Sequence, residues 1–163
     1  MARFVPKLAF LMAAITACGM ANAGSNEADA KKLLGKAVEF AKANGRDKFI
    51  AECNNTTGQF NSKSDVNPNG DMYIFTMKYD GLQDCHGRNA KIRGKNTIDM
   101  KDQNGVQMIK TMIEHCKSKG SGSVDYVWPN PETKALDKKR AFVEKLPYGE
   151  ECVGTGIHIG SGG

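Results

Sequence analysis

The sequence "GSVDYVWPNP", residues 122–131, has the features of a β-strand that ends abruptly. Val, Tyr and Trp favour the pleated, half-buried backbone of a sheet, whereas Pro-Asn-Pro cannot continue a ladder of backbone hydrogen bonds. Because side chains alternate along a strand, Tyr126 and Trp128, the single tryptophan of the chain, share one face. We therefore predict a strand whose two aromatic side chains either fill a core or line a pocket.

Helical spacing of apolar residues is found on the N-terminal side of this strand. It predicts a long helix over residues 26–44 and a shorter helix over residues 47–52. A loop rich in turn-forming residues then extends to residue 71. A later helix ends before Gly120. Its predicted apolar face consists of Val106, Ile109, Met112, Ile113 and Cys116.

Alternating patterns predict the remaining strands. Two strands are joined by a hairpin turn at Asp80-Gly81, and three more cover residues 123–128, 139–146 and 152–159. Helices segregated from a mostly antiparallel sheet indicate the α+β class. We therefore expect a long N-terminal helix packed with a five-stranded antiparallel sheet, in one domain over residues 24–163.

The N-terminal residues resemble an export signal. Arg3 and Lys7 accompany an apolar run shorter than the roughly 20 residues of a membrane span, and Ala21-Asn22-Ala23 has the form of a cleavage site. Cleavage there would remove residues 1–23 and leave a soluble chain in the periplasm or outside the cell. The residues before Cys18 also resemble a bacterial lipobox, so lipid anchoring at Cys18 is the alternative.

The charge of the chain is mildly positive. Its 163 residues include 23 Lys and Arg and 18 Asp and Glu, a net charge of +5, which falls to +3 when Arg3 and Lys7 are removed. Basic residues alternate with acidic ones, and no basic run is interleaved with stacking aromatics. This pattern is typical of a solvated surface and argues against a nucleic-acid partner.

Four cysteines follow the predicted leader: Cys53, Cys85, Cys116 and Cys152. An even number of cysteines in an exported chain favours disulfides over free thiols. The sequence allows three pairings of these four residues. Our expectation is that Cys85 pairs with Cys116 and that Cys53 pairs with Cys152.

Cysteine and histidine are neighbours at Cys85-His86 and again at His115-Cys116. Adjacent side chains point to opposite faces of a strand and lie about 100° apart around a helix, so neither pair forms a nucleophile–base dyad. The sequence contains no Cys-x-x-Cys pair and no histidine spacing of a metal site. We expect no catalytic residue, no metal and no cofactor.

Two further features are compatible with either packing or ligand binding. Gly154 and Gly156 share one face of the last predicted strand, where a closely packed helix or a small-molecule cavity would explain the missing side chains. Lys139 and Arg140 begin the preceding strand and could bring a cation to the same region, although charges at such positions are commonly solvated.

The succession of these motifs resembles the single Cache domain of the second type, an extracytoplasmic sensory module with a PAS-like fold. "GDMYIFTMKYDG" is similar to the first strand and hairpin of that family, and "CHGRNAKIRGKNTIDMKDQNG" is similar to its histidine-glycine segment. "GSGSVDYVWPNPETKALDKKRAFVEKL" and "VGTGIHI" resemble its last three strands. The resemblance covers nearly all of residues 26–159.

This resemblance implies that the domain binds a small metabolite without transforming it. Cache domains typically bind short carboxylates or amino acids between the sheet and the loops that cover it. Aromatic side chains would form the walls of such a pocket, and His86, Arg88 and Lys139 would donate to a carboxylate. Matched by position, the implied ligand-binding residues are Tyr73, Phe75, His86, Arg88, Tyr126, Trp128 and Lys139.

The function implied is extracytoplasmic sensing of a small anionic metabolite, reported to a membrane receptor or sensor kinase. The alternative is a structural or protein-interaction module with a degenerate pocket. A third hypothesis, a small exported hydrolase, lacks a nucleophile–base pair in the sequence. A thermal shift caused by a small ligand would distinguish the sensor from the interaction module.

Overall fold

The computed structural model describes residues 24–161. The expected leader, residues 1–23, and Cys18 within it lie outside the described residues. Within the described part, no helix combines the length and the apolar character needed to cross a membrane.

Two helices begin the domain. The first, α1, extends over Glu27–Asn44 and buries the apolar stripe that predicted it. Asn26 and Asp29 cap its start reciprocally, because Asp29 N donates to Asn26 Oδ1 at 3.2 Å and Asn26 N donates to Asp29 Oδ2 at 3.0 Å. The second helix, α2, Arg46–Asn54, follows directly after Gly45, whose φ of 77° turns the chain between the helices.

Six strands form within the described residues. Their bounds are β1 Phe75–Lys78, β2 Leu82–Gln83, β3 Lys95–Asn96, β4 Ser121–Pro129, β5 Leu136–Lys145 and β6 Glu151–Ser161. Four of them form the main antiparallel sheet, in the order β1-β6-β5-β4, and β2 pairs with β3 in a separate two-stranded sheet. The α+β class and the antiparallel sheet expected from the sequence are confirmed.

The chain that follows the hairpin turn at Gly81 accompanies β1 irregularly. Gly87 N donates to Ile74 O at 2.9 Å, and an isolated bridge joins Phe75 to His86. The fifth strand expected in the sheet is therefore divided: its first half pairs with β3, and its second half runs beside β1. This path carries His86 next to the first strand of the sheet.

The sheet is the middle layer of the fold. The third helix, α3, Met108–Lys119, packs on one face, and α1 packs on the other. Phe142 and Val153 enter the core shared with α1, whereas their neighbours Val143 and Cys152 enter the core shared with α3. Alternation along each strand therefore builds two separate cores.

The disulfides are Cys53–Cys85 and Cys116–Cys152, with Cα–Cα distances of 5.9 and 6.4 Å. The expected pairing of Cys85 with Cys116 and of Cys53 with Cys152 is wrong. The physical reason is the layered fold, since Cys53 and Cys85 belong to the core on the α1 side and the other two to the core on the α3 side. The sheet separates the two pairs.

Candidate functional site

Lys139 lies near the start of β5, and only 1% of its surface is exposed. Its register partners are Tyr126 on β4 and His158 on β6, so the three residues are side by side across the sheet. Alternation along β5 turns Lys139 inward and leaves Lys138 exposed. A lysine is thus carried into the α3 side of the domain.

Aromatic rings surround the Lys139 amine. Its Nζ donates to the Tyr73 hydroxyl at 2.6 Å and lies 3.9 Å from the centroid of the Tyr73 ring and 5.4 Å from that of Phe75. The His86 ring centroid is 5.0 Å from that of Tyr73, 5.8 Å from that of Phe75 and 6.4 Å from that of Trp128.

Tyr126 completes this cluster, because its ring centroid lies 5.9 Å from that of Trp128. The structure therefore brings six of the seven sequence-predicted residues together. We call these six the aromatic–lysine cluster: Tyr73, Phe75, His86, Tyr126, Trp128 and Lys139.

Gly154 and Gly156 on β6 make room for the cluster. A Cβ atom at Gly154 would lie 2.6 Å from Cζ of Phe75, and one at Gly156 would lie 2.9 Å from Cε of Lys139. Real Cβ atoms do not approach other atoms so closely. The Phe75 ring explains the missing side chain at Gly154, and the Lys139 side chain together with the backbone of β5 explains the one at Gly156; neither glycine is explained by a closely packed helix.

His86 is held in one orientation. Its Nδ1 accepts hydrogen bonds from Arg88 N at 3.3 Å and from Asn89 N at 3.0 Å, which places the ring proton on Nε2. Burial, together with the nearby cations of Lys139 and Arg93, lowers the pKa of His86 to about 3. At neutral pH the side chain is therefore an uncharged ring with one N–H donor.

Gly87 follows His86 because a buried asparagine occupies the adjacent space. A Cβ atom at Gly87 would lie 2.0 Å from Asn61 Oδ1. The same oxygen accepts from Ile74 N at 3.0 Å, and Asn61 Nδ2 donates to Cys53 O at 2.9 Å. Asn61 thereby ties the loop after α2 to the backbone next to His86, a role for which its turn-rich sequence context gives no signal.

Two arginines hold the segment around His86. Arg93 Nε and Nη2 donate to His86 O at 3.1 and 2.9 Å. Arg88 is exposed, and its Nη2 donates to Gly70 O at 2.7 Å. The predicted site residue Arg88 therefore lies at the periphery of the cluster, while Arg93, which no motif distinguishes, is the arginine behind His86.

A small cavity lies between the cluster and α3. Its volume is about 10 Å³, which is about the space that one water molecule needs. Gln83 and Ile92 were not expected there. Gln83 lies on the two-residue strand β2, and Ile92 ends a 3₁₀ helix of three residues, Ala90–Ile92; elements this short have no periodic signal. The full lining consists of Phe75, Gln83, His86, Ile92, Met108, Ile109, Tyr126 and Trp128.

The N-terminus of α3 lies at this cavity, since Met108 is both its first residue and part of the lining. The N-cap residue Gln107 makes no side-chain cap hydrogen bond, and the positive end of the helix dipole favours an anion at this end. Asp102 positions the segment: its Oδ1 accepts from Val106 N at 2.9 Å and its Oδ2 from Val127 N on β4 at 2.8 Å.

No carboxylate balances Lys139 within residues 24–161, because none of the ion pairs found there includes it. Burial lowers the pKa of Lys139 to about 7, since the charged amine loses its hydration. Burial also raises the pKa of the Tyr73 and Tyr126 hydroxyls above their ordinary values, so both remain neutral. The arrangement is chemically suited to an anion.

The cysteines next to histidines carry no free thiol, because Cys85 and Cys116 are both in disulfides. Over the described residues, no group of three or more His, Cys, Asp or Glu side chains is arranged to hold a metal ion.

The profile described as a Cache domain matches residues 59–161, a range that contains all six strands and α3. The resemblance stated from the sequence motifs is therefore confirmed.

Solved structures share the fold over most of the chain. A methyl-accepting chemotaxis protein from Vibrio parahaemolyticus RIMD 2210633 has a TM-score of 0.66 and 27% identity, covering 81% of this chain and 87% of that one. A structure that addresses carboxylic acid recognition by a Cache chemosensory domain has a TM-score of 0.58 and 21% identity, covering 78% of this chain and 84% of that one. The second likeness shows the fold alone.

A curated relative is longer than this chain. The sensor histidine kinase MctS of Rhizobium johnstonii is 34% identical over 89 residues, which are 55% of this chain and 19% of the kinase. The chain therefore spans about a fifth of the length of that relative.

Proposed function

The chain belongs to the Cache domain family, and we propose that it binds a small anionic metabolite between its sheet and α3. Cache domains are extracytoplasmic sensory modules of chemoreceptors and sensor histidine kinases, and they bind ligands rather than catalyse reactions. The proposed ligand is a short carboxylate or an amino acid.

The uncompensated amine of Lys139 provides the main support. A buried amine without a counter-ion is unfavourable. Lys139 is 1% exposed, and among residues 24–161 the Tyr73 hydroxyl is the one hydrogen-bond partner found for its amine. An anionic group next to Nζ would replace the lost hydration and restore the ordinary charge of the lysine. A purely structural site would gain more from an apolar residue at this position.

Other groups of the cluster have fitting roles in the proposed complex. A carboxylate would accept from Lys139 and from His86 Nε2, with Tyr73 as a further donor. Phe75, Tyr126 and Trp128 would form the walls. Arg88 would have to leave the Gly70 carbonyl to take part.

Two further observations support a small carboxylate as the ligand. The N-terminal end of α3, which borders the cavity, favours a small anion. In addition, one structurally similar Cache chemosensory domain is described by its recognition of a carboxylic acid.

Ligand entry would move α3 relative to the sheet. The cavity of about 10 Å³ cannot hold a metabolite, so Met108 and Ile109 at the start of α3 would have to move away from Tyr126 and Trp128. Cys116 joins the C-terminal half of α3 to β6, so the displacement is concentrated at the start of the helix. A membrane receptor or sensor kinase is the proposed partner that responds.

We further propose that the domain acts outside the cytoplasm after export. Cleavage after Ala23 would produce a soluble periplasmic or secreted chain, and lipid attachment at Cys18 is the alternative. Intact-mass measurement on native protein distinguishes the two forms, since a diacylglycerol on Cys18 would rule out the soluble form.

A second candidate function is an interaction module with a closed pocket. The small volume of the cavity favours it, because aromatic side chains and α3 already fill the space that a ligand would need. Such a module would respond to no small molecule.

A thermal-shift screen of the mature protein against short carboxylates and amino acids tests the proposal. A ligand at 100 times its dissociation constant stabilises a protein by about 2.7 kcal/mol, which produces a readily measured increase in Tm. Lys139→Met should abolish this increase while leaving the protein folded, because the apolar chain fills the same space without a buried charge.

Lys138→Met is the matched control, because Lys138 is the exposed neighbour on the same strand. It should retain the full ligand-induced shift. A flat screen with the native protein, or an undiminished shift with Lys139→Met, would contradict the proposed site and favour the interaction module.

A further inference from the structure

Gln83, a residue of the cavity lining, carries an unpaired hydrogen-bond acceptor. The residue is 2% exposed and belongs to the cavity lining. Its Oε1 is buried and has no hydrogen-bond partner among the described residues. A buried acceptor without a partner is unfavourable unless a bound molecule supplies a donor.

Thr97 determines which end of the Gln83 carboxamide is free. Gln83 Nε2 donates to Thr97 Oγ1 at 2.7 Å, and Thr97 Oγ1 in turn donates to Gly81 O at 3.3 Å. Because the threonine hydroxyl uses its own hydrogen on Gly81, it accepts from Gln83 and holds the nitrogen on this side. Oε1 is the polar atom of the carboxamide that is left without a partner among the described residues.

The backbone of Gln83 is also fixed in position. Gly94 N donates to Gln83 O at 2.7 Å, and the residue pairs with Lys95 in the two-stranded sheet. The acceptor is therefore preorganised and would not have to be ordered when a ligand binds.

The charges around the cavity favour a hydroxyl over an ammonium group as the donor to Oε1. The lining contains no Asp or Glu, whereas Lys139 and Arg93 place positive charge close to His86. An ammonium group would meet these cations without a carboxylate of the protein to balance it. A neutral hydroxyl meets no such repulsion.

We propose that Gln83 determines specificity by accepting a hydrogen bond from a hydroxyl group next to the carboxylate of the ligand, as in short 2-hydroxy acids. This inference rests on the proposed function, because it assigns the carboxylate to Lys139 and the hydroxyl to Gln83. It narrows the ligand class from carboxylates and amino acids to hydroxycarboxylates of few carbon atoms.

Isothermal titration calorimetry with matched ligand pairs tests the inference. Acetate is compared with hydroxyacetate, propanoate with 2-hydroxypropanoate, and each hydroxy acid with the corresponding amino acid. The hydroxy acids should bind at least about tenfold more tightly than the acids without the hydroxyl, since the latter leave Oε1 unpaired. The amino acids should bind more weakly than the hydroxy acids.

Variants of the acceptor should change the ratio of affinities within each pair. Gln83→Leu removes the acceptor, so the two members of a pair should bind with nearly equal affinity. Thr97→Val leaves the carboxamide free to rotate and should reduce the ratio while retaining carboxylate binding. Gln59→Leu is the control, because Gln59 is an exposed glutamine outside the cavity lining; it should leave the ratio of affinities unchanged.

Each outcome distinguishes the inference from the function on which it rests. Equal affinity of the native protein for both members of a pair overturns the role of Gln83 but leaves carboxylate sensing intact, and this comparison needs no variant to fold. A ratio that survives in Gln83→Leu also overturns it. If no carboxylate binds, the proposed function fails, and the inference fails with it.

Discussion

Lys139 shows how one residue links burial to ligand recognition. Alternation along β5 and the glycine at position 156 allow its side chain to enter the domain, where the amine meets Tyr73. None of the ion pairs in the described part of the chain includes this amine. Its pKa falls to about 7 because the surroundings hydrate the cation poorly. The protonation state of one amine should therefore govern the affinity for an anion.

Affinity for a carboxylate ligand should be highest below about pH 7 and should fall above it. A bound anion raises the pKa of Lys139, so binding takes up a proton above the free pKa of about 7, and affinity declines by up to about tenfold per pH unit. Calorimetry between pH 6 and pH 9, in buffers of different ionisation enthalpy, measures both the decline and the proton uptake.

The other titratable groups around Lys139 should not produce this decline. The pKa of His86 is about 3 and that of His158 about 4, while the hydroxyls of Tyr73 and Tyr126 have raised pKa values. None of them changes charge between pH 6 and pH 9. Lys139→Arg keeps its charge and should bind without pH dependence, and a flat profile in the native protein would refute the role of Lys139.

The spacing of two glycines in β6 is a property of the strand as a whole. Its glycines at 154 and 156 share one face, and this spacing is visible in the sequence. The neighbouring strands provide the groups that fill this space. The Phe75 ring lies beside Gly154, and the Lys139 side chain and the β5 backbone lie beside Gly156. The strand is therefore shaped around two side chains of the cluster.

Gly156→Ala should destabilise the protein by about 1 to 3 kcal/mol and weaken ligand binding. The new methyl group would lie 2.5 Å from Arg140 O and 2.9 Å from Lys139 Cε, so the backbone of β5 would have to shift. Chemical denaturation measures the loss of stability, and calorimetry measures the loss of affinity.

Gly35→Ala is the matched control for this substitution. Gly35 lies inside α1 with no atom within 4 Å of an added Cβ, so alanine should stabilise the helix by about 0.5 to 1 kcal/mol. If both glycine variants behave alike, the packing explanation for β6 is incorrect.

At the scale of the whole molecule, a disulfide closes each of the two cores. Cys53–Cys85 ties α2 to the segment beside β1, and Cys116–Cys152 ties α3 to β6. Both cysteine pairs are buried in their respective cores. The sheet and the helical layers on its two faces are thereby covalently connected.

Replacing either cysteine pair with alanine should lower the free energy of unfolding by about 2 to 5 kcal/mol. The Cys53→Ala/Cys85→Ala variant should also weaken ligand binding, because Cys85 immediately precedes His86 and fixes its segment. Denaturation curves and calorimetry measure the two effects. Peptide mapping without reduction identifies the pairing, and a Cys85–Cys116 peptide would refute the layered arrangement.

The sequence alone was sufficient to predict helices α1 to α3, most of the strands and the fold class. Apolar spacing and the glycine at 120 predicted α3 close to its observed range, and the alternation in residues 123–128 predicted most of β4. These features depend on local periodicity, which neighbouring residues encode directly. The shared face of Tyr126 and Trp128 follows from the same periodicity.

The tertiary structure decided which distant residues meet. The disulfides enclose sequence separations of 32 and 36 residues, and nothing in those intervals selected the observed pairing over its alternatives. Arg88 follows His86 closely in sequence, yet the loop directs it to the Gly70 carbonyl. Gln83 shows no sequence signal, because its buried acceptor results from a two-residue strand held between Thr97 and Gly94. Local pattern determines the elements, whereas burial and pairing in the site depend on the packing of segments far apart in the chain.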